Sequence, residues 1–202
     1  MLRKEHSSAT QGTRRDTPAR RMPAEEGVWV FIFGDLLVFG LFFLTYMYYR
    51  GENVALYVTS QGTLNEIFGF TNTLLLLSSS LLVALGVHAA RIGQRGAAAA
   101  LLAGAFACGA AFGVIKVIEY GQKFAAGITV LTNDFFMFYF MLTGIHFAHL
   151  TIGLGVLAFL FVTVRKPALS PGDLQAIEGG AAFWHLVDLL WVVLFALLYL
   201  MR

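Results

Sequence analysis

The amino-acid sequence predicts an all-α membrane protein, a bundle of five transmembrane helices, and two observations lead to this fold class. Hydrophobic residues make up 58% of the 202 residues and charged residues only 13%, whereas a soluble domain is about half apolar and about one quarter charged. Five apolar segments are each long enough to cross a hydrocarbon core of about 30 Å as a helix of roughly 20 residues. They cover approximately residues 27–49, 66–90, 96–120, 134–164 and 179–201.

A basic tail precedes the first segment. Residues 1–26 contain six of the fourteen lysine and arginine residues, are rich in Ser, Thr and Pro, and lack an apolar stretch. Because this composition is typical of disorder, we expect a disordered cytoplasmic tail over residues 1–26 and one membrane domain over residues 27–202. The tail does not resemble a signal peptide, since a long apolar segment and no small-residue cleavage site follow it.

Polar connections delimit the other four segments. The second segment lies between YRGENVALYVTSQGTLNE and the very short ARIGQRG. The third consists mostly of small residues, GAAAALLAGAFACGAAFG, which let helix backbones approach closely in lipid. The connection GQKFAAGITVLTND precedes the fourth segment, and RKPALSPGDLQAIE precedes the fifth. We find no internal repeat, so a single bundle is predicted.

The placement of lysine and arginine predicts the orientation, because these residues are enriched on the cytoplasmic side of membrane proteins. One side receives the basic tail and the connections that contain Arg91, Arg95, Arg165 and Lys166. The other side receives only Arg50, Lys123 and Arg202. We therefore expect a cytoplasmic N-terminus and a periplasmic C-terminus.

Seven of the ionisable residues within the predicted helices are candidates for a functional role, because such residues are costly in a membrane and tend to mark function. They are Asp35 in the first helix, Lys116 and Glu119 in the third, His146 and His149 in the fourth, and His185 and Asp188 in the fifth. A rise of about 1.5 Å per residue puts Asp35, His185 and Asp188 roughly 9 to 13 Å from the cytoplasmic face, and His149 roughly 22 Å from it. These depths predict an intramembrane polar pocket formed by Asp35 with the histidines and Asp188.

Several interpretations remain open for these residues. His146 with His149, and His185 with Asp188, are spaced i, i+3, so the members of each pair share a helix face. They would form hydrogen bonds between helices, transfer protons near neutral pH, or bind Zn, Fe or Mn.

Asp35 and the pair Lys116 and Glu119 have their own interpretations. Asp35 has no basic neighbour in the sequence, and both structural hydrogen bonding and proton exchange remain open for it. Lys116 and Glu119 lie near the outer end of the third helix and, at i, i+3, predict an ion pair.

Motifs for a redox cofactor or a nucleotide are missing from the sequence. Its single cysteine, Cys108, cannot form a cysteine pair for a dinuclear copper centre, and the sequence contains neither CxxCH nor a glycine-rich nucleotide loop. We therefore expect no catalytic centre, no cofactor or metal bound by this chain and no nucleic-acid partner. Its function would then come from association with another protein.

Five motifs, in order, resemble subunit III of the haem-copper oxidases over about residues 26–202. They are GVWVFIFGDLLVFGLFF, NTLLLLSSS, the IEY of VIKVIEYGQ, TGIHFAHLTIG and AAFWHLVDLLWVVLFALLYL. The resemblance implies an α-helical subunit without redox cofactors, which packs against the catalytic haem-copper subunit and has five transmembrane helices, as shorter members do. Haem and metal would belong to that partner, and membrane phospholipid would be a further ligand.

The resemblance also implies roles for individual residues. Asp35, in Gly34-Asp35 where the family often has Ser-Glu, matches an acidic position linked to proton uptake or to a lipid-filled cleft. Glu119 matches the Glu of the family's EY motif. The two histidine motifs, TGxHxxH and WHxVD, match His146, His149, His185 and Asp188.

The form VWVFIFGDLLVF is most similar to a branch associated with bacterial nitric oxide reductase, described as E-type accessory proteins. It predicts an inner-membrane subunit that supports assembly, stability or proton supply of the catalytic subunit in denitrification. Subunit III of an aerobic cytochrome c or quinol oxidase is the alternative. The intramembrane acids and histidines also motivate two hypotheses of other classes, a proton-coupled transporter and an intramembrane metalloenzyme.

Overall fold

The computed structural model describes residues 26–201. The predicted tail over residues 1–26 therefore lies outside the described residues except for Glu26, and so does Arg202. Within the described range the chain is helical and contains no strand. The predicted disorder of the tail, the domain boundary after it and the orientation of the termini stay predictions.

Six α-helices follow one another along the chain. They are α1 (Glu26–Glu52), α2 (Val54–Gln61), α3 (Glu66–Arg91), α4 (Arg95–Ala125), α5 (Asp134–Val164) and α6 (Pro171–Phe195). A π-helical turn, Ala196–Leu200, continues α6. Five of the helices, α1 and α3 to α6, are long and apolar enough to cross a membrane, which confirms the five predicted spans.

Helix α2 lies in a stretch that the sequence pattern predicts to be only a polar connection. Asn53 caps it by accepting a hydrogen bond from the Leu56 backbone N–H. Its inner face buries Tyr57 and Gln61, and the Gln61 side-chain amide donates to the Leu197 carbonyl at 3.0 Å. Burial raises the pKa of Tyr57 to about 12, so its hydroxyl stays protonated at neutral pH. Eight residues give too short a pattern to separate this helix from a loop.

The last helix begins eight residues before its predicted start at residue 179. Ser170 and Asp173 form a capping box, in which the Asp173 N–H donates to Ser170 Oγ at 3.1 Å and the Ser170 N–H donates to Asp173 Oδ2 at 2.9 Å. Pro171 occupies the first turn, where its missing N–H costs nothing. The capped start extends α6 beyond its apolar part, because a polar first turn can lie outside the hydrocarbon.

Helices α3 to α6 form a four-helix bundle, with α3 beside α4, α4 beside α5, and α6 against both α3 and α5. Helix α1 lies outside this bundle against α5 and α6. In the most apolar window of each helix, 67% of residues are buried in α6 but only 11% in α1. Helix α6 is thus the centre of the fold, and α1 is a peripheral helix whose outer face is exposed.

Trp184 of α6 lies between two glycines and brings α4 and α5 together. Its side chain is 1% exposed. A Cβ atom on Gly109 of α4 would lie 2.7 Å from the indole ring, and one on Gly153 of α5 would lie 2.8 Å from it. Real Cβ contacts are not this short, so glycine at both positions is what admits the ring.

The contact between Trp184 and Gly153 predicts a stability difference between two alanine variants on the same helix. Gly153→Ala should destabilise the protein by about 1–3 kcal/mol through overpacking. Gly155→Ala should be neutral or stabilising by up to about 1 kcal/mol, because alanine is the better helix former and a Cβ there has no neighbour within 4 Å. Thermal unfolding in mild detergent, followed by tryptophan fluorescence, measures both. Equal melting temperatures for the two variants would contradict the packing described.

Candidate functional site

Asp35 of α1 and His149 of α5 form a pair that joins the peripheral helix to the bundle. Asp35 Oδ1 lies 3.1 Å from His149 Nε2, with the two side chains 11% and 16% exposed. The other ring nitrogen, Nδ1, lies 2.9 Å from the Ile145 carbonyl, and Phe39 packs edge-on against the imidazole at 5.6 Å. Three neighbours therefore fix the ring of His149.

These contacts require a proton between Asp35 and His149. A carbonyl oxygen only accepts, so Nδ1 must donate to Ile145. In a neutral imidazole Nε2 then carries a lone pair, which would face the lone pairs of an ionised carboxylate. The contact is attractive only if the pair holds one more proton, as imidazolium with carboxylate or as imidazole with carboxylic acid. The second carboxylate oxygen, Asp35 Oδ2, is buried and has no hydrogen-bond partner among the described residues.

His146 does not join this pair, although it lies less than one turn away on α5. It is 1% exposed, and its ring packs against Phe112 at 5.7 Å and Trp191 at 5.4 Å between centroids. Neither ring nitrogen has a hydrogen-bond partner within the described range. Residues three apart differ by about 60° around a helix of 3.6 residues per turn, so the two imidazoles contact different neighbours.

His185 and Asp188 of α6 face α3 instead of His149. His185 Nδ1 lies 2.6 Å from the hydroxyl oxygen of Ser80, and the Asp188 carboxylate interacts with the same hydroxyl. Asp188 is 7% exposed, and its Oδ1 has no partner in the described chain. Next to His185, a surface groove of about 300 Å³ opens between α3, α6 and the start of α1; it is lined by residues that include Trp29, Arg91 and Glu178.

The five residues predicted to share one pocket thus make three separate sets of contacts. One set joins α1 to α5 through Asp35 and His149, the second surrounds His146 with aromatic rings, and the third joins α6 to α3 through His185 and Asp188. The hydroxyl of Ser80 belongs to the third set, although the motif NTLLLLSSS by itself does not link this residue to His185 or Asp188. The run of serines on α3 was the signal for it.

Lys116 and Glu119 of α4 form an ion pair inside the bundle. The ammonium Nζ donates to Glu119 Oε2 at 2.9 Å, with side chains 1% and 2% exposed. Two phenols complete the cluster: Tyr139 and Tyr199 each donate to Glu119 Oε1, at 2.9 and 2.6 Å, and each accept from Lys116 at 3.3 and 3.0 Å. Every donor of the ammonium is used, and the cluster joins α4, α5 and the final π-helical turn.

The sequence pattern indicated the ion pair but not the tyrosines. Tyr139 and Tyr199 lie in apolar runs of two other helices, and nothing in their spacing links them to residues 116 and 119. The ammonium also lies 4.9 to 5.7 Å from four aromatic ring centroids, those of Tyr120, Tyr139, Trp191 and Tyr199. Such cation–π contacts add to the stability of a desolvated cation.

Polar contacts at the same end of the bundle hold the connections. Lys123 donates to the Thr63 carbonyl at 2.6 Å. On α1, the Tyr46 hydroxyl donates to the Leu197 carbonyl at 3.2 Å and Arg50 donates to the Met201 carbonyl at 3.1 Å. The bonds from Tyr46 and Arg50 end on carbonyls in and directly after the final π-helical turn. They fix α1 at one end, while the pair of Asp35 and His149 fixes it near its middle.

A metal site would require several donor side chains around one point. Within residues 26–201 no group of three or more His, Cys, Asp or Glu side chains lies close enough together to hold a metal ion. The described part of the chain therefore does not assemble the donor set on which the metalloenzyme hypothesis depends.

Comparison with known proteins gives consistent matches. The family model for cytochrome c oxidase subunit III matches residues 6–202. Quinol oxidase subunit 3 of Bacillus subtilis is 27% identical over 180 residues, which cover 87% of this chain and 85% of that protein. Cytochrome c oxidase subunit 3 of Corynebacterium diphtheriae is 29% identical over 180 residues, which cover 87% of this chain and 87% of that protein. Cytochrome bo(3) ubiquinol oxidase subunit 3 of Pseudomonas putida is 26% identical over 175 residues, which cover 87% of this chain and 84% of that protein.

The buried ion pair predicts a strong dependence of stability on charge balance. Removing one partner, as in Lys116→Met or Glu119→Gln, leaves an uncompensated group in the interior and should cost about 3–5 kcal/mol. The double variant Lys116→Met/Glu119→Gln removes both charges and should lose less than the sum of the single changes. Unfolding in mixed detergent micelles, monitored by circular dichroism, gives these free energies.

The exposed pair of Lys166 and Asp173 supplies the control. Lys166 Nζ lies 2.6 Å from Asp173 Oδ1, and the lysine side chain is 50% exposed. Because exposed ion pairs contribute little to stability, Lys166→Gln should change the free energy of unfolding little. If the double variant at residues 116 and 119 is as unstable as the two single changes together, the two groups are not coupled.

Proposed function

The chain belongs to the cytochrome c oxidase subunit III family, and from this we propose that it is a non-catalytic, multi-pass subunit of a respiratory haem-copper enzyme in the bacterial inner membrane. The single observation that carries the proposal is the extent of the family match, which spans residues 6–202 and so includes all the described helices. In this proposal the haem and the metals belong to the catalytic partner subunit. This chain supports that partner's assembly, stability or proton supply.

The interior contacts support a scaffold role. The ionisable pair at Asp35 and His149 links α1 to α5, the contact between His185 and Ser80 links α3 to α6, and the cluster around Lys116 links α4 to α5 and the final turn. Each of these connects two or more helices. A bundle joined in this way presents a fixed outer surface to a partner.

For the partner we propose a nitric oxide reductase, on the basis of the motif VWVFIFGDLLVF around Gly34 and Asp35. An aerobic cytochrome c or quinol oxidase is the alternative, and the names of the similar proteins favour it. Purification in mild detergent, followed by haem spectroscopy and identification of the co-purifying subunits, distinguishes the two. Co-purification of a nitric oxide reductase subunit supports the first partner, and co-purification of an oxidase subunit I supports the second. Isolation without any haem protein would count against both.

We further propose that Asp35 and His149 exchange a proton with the partner's uptake route. The proton that these two side chains share is the one that would be exchanged, and Ile145 and Phe39 hold the ring of His149 in place for it. The unpartnered Asp35 Oδ2 offers a second position for it. A purely structural pair would instead only hold α1 in place.

Two substitutions at Asp35 separate these roles. In Asp35→Asn the new amide can still donate a hydrogen bond to His149 Nε2 but cannot ionise. Assembly with the partner should therefore be kept, whereas the turnover of the partner should fall several-fold. Asp35→Leu removes the contact with His149, so both assembly with the partner and turnover of the partner should fall. The measurements are co-purification of the partner and its rate of acceptor reduction in proteoliposomes.

The matched control is His185→Ala, which removes an intramembrane imidazole of another contact set. It should leave the proton-dependent part of the turnover unchanged. If Asp35→Asn keeps full turnover while Asp35→Leu loses assembly, the pair is structural and the proton role is lost. If both keep assembly and turnover, the pair has neither role.

A further inference from the structure

The turn that joins α4 to α5, residues 126–133, has an ordered backbone and exposes apolar side chains. The Thr129 N–H donates to the Thr132 hydroxyl at 2.8 Å, and the Thr132 N–H donates to the Thr129 carbonyl at 3.1 Å. At the tip, Leu131 is 93% exposed and Val130 is 43% exposed. Because the backbone is already fixed, a partner that contacts Leu131 does not have to order the turn.

This α4–α5 turn lies outside the hydrocarbon. Helices α4 and α5 contain 31 residues each, which correspond to about 46 Å along a helix axis. Arg95 begins α4 and Arg165 follows the end of α5, so these two residues mark one surface of a hydrocarbon core of about 30 Å. A helix tilt of about 20° still leaves a span of about 43 Å. The turn at the opposite end therefore extends beyond the acyl chains, which do not cover Leu131.

Helix α2 supports the α4–α5 turn and adds to its apolar surface. Asn133 Nδ2 donates to Ser60 Oγ at 3.0 Å, which connects the end of the turn to the end of α2. Val54 and Val58 of α2 are 46% and 37% exposed, and at a spacing of four residues they share a helix face. The turn and the helix together form an apolar surface, called here the α2 surface, which consists of Val54, Val58, Val130 and Leu131.

The charged residues exposed around the α2 surface are acidic. Glu52 ends α1, Glu66 begins α3 and Asp134 begins α5, and all three are exposed. The basic residues at this end of α1 and α4, Arg50 and Lys123, are turned inward, where each donates to a backbone carbonyl. Carboxylates therefore surround the apolar side chains.

We propose that the α2 surface binds an extramembrane domain of another protein, one that presents lysine or arginine residues around an apolar patch. The exposed leucine and valines favour an apolar contact, and the carboxylates favour a basic rim. The same carboxylates disfavour an anionic membrane surface or a second copy of this chain, because like charges repel. The contact lies outside the hydrocarbon, so it is separate from the packing against a catalytic membrane subunit and does not depend on it.

A photo-crosslinking amino acid at position 131 of the full chain, in native membranes prepared at low salt, tests the proposal. Position 92 is the matched control, since Ile92 is 55% exposed in the turn at the opposite end of the bundle. We expect position 131 to capture one protein through a segment outside its membrane spans, with basic residues beside the captured site. Position 92 should not capture that protein.

Charge removal separates a specific contact from chance capture. In Glu52→Gln/Asp134→Asn the yield of this crosslink should fall by about 2- to 30-fold, since each exposed ion pair corresponds to a factor of about 1.4 to 5. About 1 M salt should also lower the yield, because it shortens the Debye length to about 3 Å. Glu178→Gln removes the same charge at the opposite end of the bundle and should change nothing.

A second pair of variants tests the apolar contact with the captured protein. Because Leu131 is 93% exposed, Leu131→Ser should leave the fold intact. Co-purification of the captured protein in mild detergent should nevertheless fall several-fold. Ile92→Ser, the control at the opposite end, should keep it.

Five results would overturn the proposal. Capture of lipid alone would assign the α4–α5 turn to the membrane surface, and capture of the same chain would assign it to an interface between copies. Capture of a transmembrane segment of a partner would place the turn within the hydrocarbon. A yield that both the charge variant and salt leave unchanged would remove the role of the carboxylates. No crosslink at position 131 would show that the α2 surface has no protein partner.

Discussion

A polar side chain inside a bilayer can find hydrogen-bond partners only within the protein, because hydrocarbon offers none. In this chain the requirement is most severe at Lys116 and Glu119, which are almost completely buried and bond to each other and to two tyrosines. The cluster fixes how α4, α5 and the last turn of the chain face one another. The orientation of α6, and through it the position of His185 opposite Ser80 of α3, follows from that arrangement.

The sequence predicts the spans well because membrane thickness sets the length of each apolar segment. It predicts the ion pair of Lys116 and Glu119 because both residues lie on one helix at a spacing that brings them together. Helix α2 and the early start of α6 are not found by hydropathy, since a buried face of eight residues and a polar first turn leave no apolar signal. A capping signature at Ser170 and Asp173 does mark the start of α6.

The polar pocket could be predicted only in part, because hydropathy and spacing do not show how helices rotate against one another. The i, i+3 spacing puts His146 and His149 on nearly the same face, yet the remaining angle turns one toward Phe112 and Trp191 and the other toward Asp35. Partners from other helices, such as Tyr139 and Tyr199, have no spacing in the sequence that links them to the residues they contact. Pairing between helices requires the tertiary structure.

The central claim is that the intramembrane acids and bases face protein partners and not lipid. A structure of the chain in a lipid nanodisc, at a resolution that shows side chains, tests it most directly. The account predicts Asp35 within hydrogen-bonding distance of His149 and the ammonium of Lys116 enclosed by Glu119 and two phenols. A structure in which Asp35 and His149 point to acyl chains on different sides of the bundle would contradict it.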